Sequence, residues 1–332
     1  MVNLFKNYLF WFSAFGGLIL ILALVAWDFY LFFKILVWLG ISLSVGLVGR
    51  EFVMGFLVVA ALVNGLVGVG QVFLQHDLGL YFLGESRLEI VDKKVALAYL
   101  GGDSFILRAY GLTPHPNVLG GLIFLGIMAT LYFLIKKRFK AGLLWVAWLI
   151  LWVSLILTFS RSAWLATLVG VLFVYFNLER FGLGEVKKYF KKTFLVTVAF
   201  ILVFLGWALV PRINTLSLNN FTVTERVSGL GFFTSNISNY GFFGGGLSLR
   251  IKQPLYHGLY LMIFKEGGLV LLLIFLALAR SLFRERMRFL DWRFLVPLAM
   301  LLGLLIIGLF DHYLWTIRQG VGMLLLSLGL LI

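Results

Sequence analysis

The chain of 332 residues contains no cysteine. Disulfides, thiolate metal sites and cysteine nucleophiles are therefore excluded. Charge is scarce. Only 13% of residues are Asp, Glu, Lys or Arg, against about 25% in soluble domains. The acids Asp28, Asp77, Glu85, Glu89, Asp92, Asp103, Glu225 and Asp311 are scattered. They form no constellation with metal-ligand spacing, so no metal and no other cofactor is expected. A glycine-rich nucleotide loop is also missing, which argues against a cytosolic sugar-nucleotide donor. No internal repeat, low-complexity tract or second domain is visible.

What the chain has is apolar length. It is 62% hydrophobic and 17% aromatic, with a mean hydropathy of +1.03. The fold expected is an all-α, polytopic transmembrane helical bundle forming one integral membrane domain over residues 1–332. Apolar runs long enough to cross a hydrocarbon core of about 30 Å lie near 8–27, 30–48, 52–73, 117–135, 141–159, 162–178, 193–210, 255–278, 294–310 and 314–332, about ten spans. The first run is long enough to span, and no cleavable leader stands out before it.

The net charge of +14 reads first as topology. The basic linkers 136–140, 179–192 and 279–293 fall on one side of a ten-span chain. Sixteen Lys and Arg residues lie on that side and ten on the other, while Lys265 and Arg318 lie within spans. The positive-inside rule then places both termini in the cytoplasm and two long loops, 74–116 and 211–254, outside. A nucleic-acid partner is not expected; membrane lipids are. All four histidines, His76, His115, His257 and His312, fall on the outer side.

Residues 141–178 pose a geometric problem. As one helix they would run about 57 Å at 1.5 Å per residue, well beyond the bilayer core, so the segment must fold back. Ser160-Arg161-Ser162 is its polar break, and the turn is expected there. Two readings fit Arg161. It is a snorkelling residue at a hairpin tip, or it is an anion clamp whose planar guanidinium suits a diphosphate.

Three further stretches are chemically suggestive. TPHPN, Thr113 to Asn117, is stiffened by two X-Pro bonds, and Pro116 suits the first turn of a helix. On spacing alone His115 is a cap or interface residue. The free N–H groups of such a helix start also suit an anion. The loop from Pro211 to His257 carries Arg212, Arg226, Arg250 and Lys252 against one acid, Glu225. This excess fits an anionic ligand or a solvated loop. Its Gly244-Gly245-Gly246 triplet allows close backbone approach or a tight turn. Finally, in YHGLYLMIFKEGG, His257 opens an apolar helix and is suited to act as a general base. Lys265 and Glu266 sit deeper, either at a functional site or paired with neighbouring helices.

Taken in order, HPN before a membrane helix, FSRSAW at a hairpin, ERVSGL with NYGFFGGG in a large loop, and HGLYLMIFKEGG at the next helix form a pattern. It resembles that of the O-antigen ligase and O-antigen polymerase superfamily of bacterial envelope glycan enzymes. The similarity covers residues 113–268. It implies a glycosyltransferase of the bacterial inner membrane, acting on its outer face on a polyprenyl-diphosphate-linked glycan and a glycan or lipid acceptor. It also implies roles: His257 as the essential histidine, Arg161 and Arg226 as the diphosphate-binding arginines, and Glu266 as the acid that follows the histidine. His115 and Asn117 of the HPN element join them as candidate substrate-binding residues. Gly258 stands where family members often carry asparagine. The rival classes are a lipid-glycan flippase or small-solute transporter, for which broken helices and paired repeats would speak, and a non-catalytic membrane scaffold.

Overall fold

In the computed structural model the described residues are 2–25, 36, 39–40, 42–45, 48–89, 95–101, 104–136, 141–188, 190–191, 195, 199, 231, 234, 241–245 and 257–332. The structure is mostly helical, with one two-stranded sheet among these residues. The helices are α1 (Val2–Val25), α2 (Arg50–Leu74), α3 (Pro116–Lys136), α4 (Ala141–Leu157), α5 (Arg161–Asn177), α6 (Leu259–Phe289), α7 (Leu295–Phe310), α8 (Tyr313–Thr316) and α9 (Arg318–Gly329). Strands β1 (Leu97–Gly101) and β2 (Ser104–Leu107) pair antiparallel. Among the described residues four helical segments are long and apolar enough to cross a membrane: α2, α3, α6 and the stretch Trp292–Phe310 that contains α7. Three apolar segments are shorter, Leu9–Ile21, Gly142–Leu157 and Arg161–Asn177. The runs expected at 30–48 and 193–210 lie largely outside the described residues.

The chain divides into two units. One holds residues 48–217 and 295–307 and carries Arg161; the other holds 1–47, 218–294 and 308–332 and carries His257.

In the Arg161 unit α3 is the core. It is buried almost throughout from Pro116 to Ile135, as a helix apolar on every side must be. In lipid, water does not drive helices together, so close van der Waals contact decides which faces meet. Small residues supply it: a Cβ on Gly126 would collide with Ala61 of α2, and one on Gly120 would come within 2.9 Å of Ser160 and Ala163. An ion pair between Glu51 at the start of α2 and Lys136 at the end of α3 joins the antiparallel ends. Each charge also complements its own helix dipole, the acid at a positive N-terminal end and the base at a negative C-terminal end. α2 buries Val53, Met54, Leu57, Ala61, Gly65 and Gly68, yet its other face exposes Phe52, Phe56, Val59, Val63 and Leu66. Apolar side chains on both faces suit a helix with protein on one side and lipid on the other.

The segment 74–116, expected as a loop, is folded where it is described. Gln71, fully buried in the last turn of α2, donates to Glu85 Oε1 (2.7 Å) and Gly111 O (2.9 Å), and its Oε1 accepts from the N–H groups of Tyr110 (3.1 Å) and Gly111 (2.8 Å). Glu85 in turn accepts from Leu78 N (2.7 Å) and Leu80 N (2.5 Å). Asp77 accepts from Leu88 N (3.0 Å) and Tyr81 Oη (2.5 Å). The Leu88 N–H first, then the Tyr81 hydroxyl, hold the Asp77 carboxyl below its usual range, and the same bond raises the Tyr81 phenol. The β1–β2 hairpin makes the fold all-α only in its membrane helices.

In the His257 unit α1 packs along α6, with Phe15 and Phe275 rings 5.5 Å apart. α6 has 31 residues, about 46 Å at 1.5 Å per residue, which exceeds the bilayer core. The basic stretch from residue 279, expected as a linker, continues as helix to Phe289. Hydropathy detects the apolar part of a helix and not its charged extension. Arg286 is buried there, donating to Leu331 O (2.7 Å) and Ile332 O (2.9 Å) and lying 4.0 Å over the Phe294 ring. The expected span 314–332 is instead α8 and α9, separated by extended Ile317 (φ −107°, ψ 134°). The 12 residues of α9 cover about 18 Å, too short to span alone.

α6 is also broken. Gly268 has φ 65° and ψ −165°. The backbone groups freed at the break are taken up by residues 241–245. Leu269 N donates to Gly241 O (3.3 Å), Val270 N to Phe242 O (3.1 Å), and Gly245 N to Lys265 O (2.7 Å). Such groups are costly in a membrane unless paired. A Cβ on Gly244 (φ 74°) would come within 2.5 Å of Glu266 C and O and Gly268 N, and one on Gly268 would collide with Phe242 O. Close approach is thus the use made of Gly244, one of the two roles read for the triplet.

Candidate functional site

Residues of interest form one cluster in each unit. The first lies where α3 and α5 begin. The fold-back occurs at Thr158–Ser160, two positions earlier than Ser160–Ser162, and Arg161 is the first residue of α5. Phe159 makes the reversal with φ 49°. Ser160 N donates to Thr158 Oγ1 (3.2 Å), and Trp164 Nε1 to Leu155 O (2.9 Å), tying the two arms. Arg161 is exposed while Ser160 and Ser162 beside it are buried. Its charge sits at the positive end of the α5 dipole, a location that costs a cation about 0.3–1 kcal/mol rather than stabilising it. Helix formation therefore gives no reason for an arginine at this position.

The HPN turn stands against this tip. Pro116 opens α3 as read from sequence. His115 caps the helix: its Nδ1 accepts from Asn117 N (3.1 Å), and its carbonyl accepts from Val118 N (3.0 Å) and Leu119 N (3.2 Å). Thr113 Oγ1 donates to Tyr110 O (2.7 Å) and His115 O (3.1 Å), closing the turn. The structural reading of His115 is the one supported here. Asn117 has a definite partner: Arg108 Nη2 donates to its Oδ1 (2.7 Å), and Arg108 Nε donates to Thr158 O (2.8 Å). Ala109 N adds a bond to Leu157 O (2.8 Å). One half-buried arginine therefore joins the HPN turn to the hairpin tip. With Gly120 packed on Ser160 and Ala163, the first turns of α3 and α5 lie side by side.

The second cluster lies at the start of α6. Gly258, at the cap, has φ 150°, and its carbonyl accepts from Met262 N (3.2 Å). The His257 ring is 5.9 Å from that of His312, whose Nδ1 bonds Thr316 Oγ1 (2.7 Å). Three residues after His312, Trp315 Nε1 donates to Glu266 Oε2 (2.6 Å). The single turn of α8 and its N-cap His312 thus meet both sequence-nominated residues here, His257 just before α6 through His312 and Glu266 within α6 through Trp315. Buried Asp311 precedes it.

Arg161, His115 and Asn117 are thus gathered in one unit, and His257 and Glu266 in the other. Arg226 lies outside the described residues. Sequence reading passed over Arg108, His312 and Trp315. The only local signals were an arginine nine residues before Asn117 and the polar pair Asp311-His312 inside an apolar run. Among the described residues no group of three His, Asp or Glu side chains is placed to hold a metal ion. No family model, curated protein or solved structure matches the chain.

Proposed function

We propose that the chain is a membrane glycosyltransferase that moves a glycan from a polyprenyl-diphosphate carrier to an acceptor hydroxyl, in the manner of O-antigen ligases and polymerases. The observation that carries the reading is the position of Arg161. It stands at a helix N-terminus, against the dipole, beside a second helix N-terminus at the HPN turn. A guanidinium fork suits a diphosphate, and the dipole at a helix N-terminus favours an anion.

The chemistry needs little more. The sugar C1 already carries a good leaving group. The acceptor oxygen attacks C1, the C1–O bond to the diphosphate breaks, and the electron pair leaves with the diphosphate. Arg161, with Arg226, offsets the charge on that group. The hydroxyl proton passes to His257 as general base. Direct displacement inverts the anomeric centre. His312 and the Trp315–Glu266 bond hold the start of α6 where His257 works. In this reading the chain lies in the bacterial inner membrane with about ten spans. Both termini are cytoplasmic, and the loops 74–116 and 211–254 face outward.

A second reading, a flippase or transporter, is favoured by one observation: α6 is discontinuous at Gly268, and broken helices commonly build transport sites. The test is to incubate purified protein with a lipid-diphosphate glycan, with and without a glycan acceptor. Acceptor-dependent loss of donor, abolished in Arg161→Ala and little restored in Arg161→Lys, supports transfer. An unchanged donor under every condition refutes it.

A further inference from the structure

Beyond the transfer reading, and independent of it, one surface of the folded 74–116 segment points to a partner. Along α2 the residues Val59, Val63, Leu66, Gly70 and Phe73 recur at spacings of four and three, so they share one stripe. Val59, Val63, Leu66 and Phe73 on it are exposed apolar side chains, as is neighbouring Leu74. On a helix long and apolar enough to span, this is the face for lipid. The chain beyond α2 folds back over the same stripe. Leu78 Cδ1 lies 3.2 Å from where a Cβ of Gly70 would stand. Gly70 is four residues, about 6 Å, short of the end of α2.

The fold-back is fixed at both sides of a small projecting turn. Glu85 holds the N–H groups of Leu78 and Leu80 and is itself bonded to Gln71, one residue beyond Gly70. Between Leu80 and Glu85 the chain makes a 3-10 turn, Tyr81–Leu83, closed by Gly84 N on Tyr81 O (3.0 Å). Its three side chains are Tyr81, Phe82 and Leu83, and Phe82 is 83% exposed, more than any other large apolar residue described. Polar groups rim the turn. Tyr81 Oη donates to Asp77, and the Arg87 guanidinium lies 5.5 Å from the Tyr81 ring.

We propose that Tyr81-Phe82-Leu83 is an interfacial anchor whose partner is the lipid surface at the Leu74 end of α2. The interfacial region of a bilayer is about 5–7 Å deep on each side. A turn held level with Gly70 and Gln71, on the lipid-facing stripe, cannot rise clear of it. Phe82 and Leu83 enter the acyl boundary. Tyr81 keeps its ring at headgroup depth and its hydroxyl in the polar layer, as interfacial tyrosines do. Arg87 is placed for the lipid phosphates. The 74–116 segment is thereby tethered to the membrane that α2 crosses.

The chain lacks cysteine, so single nitroxide labels report cleanly. Full-length protein carrying Phe82→Cys, Leu74→Cys or Glu89→Cys is labelled and reconstituted in vesicles of phosphatidylcholine and phosphatidylglycerol. Spin relaxation is then measured with oxygen, which concentrates in lipid, and with a nickel chelate, which stays in water. The expected result is an oxygen preference at residue 82 matching that at residue 74, with the reverse, several-fold, at exposed Glu89. A nickel preference at residue 82 overturns the proposal. So does inaccessibility to both reagents, which would mean that protein, such as a second copy, covers the turn.

Discussion

The two units hold their non-helical parts by different means. In the Arg161 unit polar side chains do it: Gln71 bonds Glu85 and Gly111, Glu85 bonds Leu78 and Leu80, and Arg108 bonds Asn117 and Thr158. In the His257 unit the stitching at the break in α6 is backbone to backbone, between Gly241–Gly245 and Lys265–Val270, and glycine is what allows it. Side-chain staples give a fixed frame, suited to holding a charged ligand in one geometry. A backbone seam depends on shape alone and leaves the side chains of α6 facing α8. The units should therefore fail differently when altered.

The largest effect is expected at His257. In the transfer reading His257→Ala lowers turnover by about 10²–10⁴-fold, the usual contribution of a positioned base. Lipid-diphosphate binding persists in this variant, because Arg161 and Arg226 are unchanged. Turnover at saturating substrates and binding by calorimetry check both halves; loss of binding with retained turnover would invert the assignment of the two units.

Next is Arg108→Gln, which removes both links between the hairpin tip and Asn117. Hydrogen bonds to a charged group contribute about 1.5–3 kcal/mol each before relaxation. Donor KM should rise, with kcat changed less. Because Asn117→Ala cuts one of the same links, the double variant should lose less than the two single losses combined. Simple additivity would show that Arg108 and Asn117 act separately.

Third, Gly268→Ala forces a side chain into a positive-φ position against Phe242 O. Backbone strain of this kind costs about 1–3 kcal/mol. A lower melting temperature and faster labelling of a cysteine at position 245 are expected. No change in either would mean that the seam is not holding α6.

The smallest effect concerns Asp77. Its folded-state pKa is lowered, first by the Leu88 N–H and then by the Tyr81 hydroxyl. Its contribution is therefore fully present well above the ordinary value of 3.8 and is lost as pH falls below 3.8 toward the depressed value. Hydrogen exchange over residues 76–89 should accelerate in that window in the parent and show a smaller step in Asp77→Asn. Equal steps would remove Asp77 as the cause.

What could be read beforehand was local. The fold-back near Ser160, the helix start at Pro116 and the ends of α2 followed from apolar length and its polar breaks. The folded state of 74–116 did not follow, because its staples join Gln71 to Gly111 and Arg108 to Thr158, contacts that no local period encodes. The break at Gly268 was hidden in an apolar run whose glycine pair suits either a helix or a kink. Of the site, His257, Glu266, Arg161 and Asn117 were legible as polar groups in apolar surroundings. Arg108 was not, since in sequence it is one more basic residue of a loop.

The central claim is bond formation by a protein that one feature, the broken α6, would also let act as a transporter. The direct measurement uses the purified chain in vesicles with lipid-diphosphate glycan in both leaflets and acceptor on one side, with no ion gradient. Product is identified by mass spectrometry and anomeric NMR. The account predicts a new glycosidic bond of inverted configuration and one polyprenyl diphosphate released per bond. Chemically unchanged donor that redistributes between leaflets would contradict it.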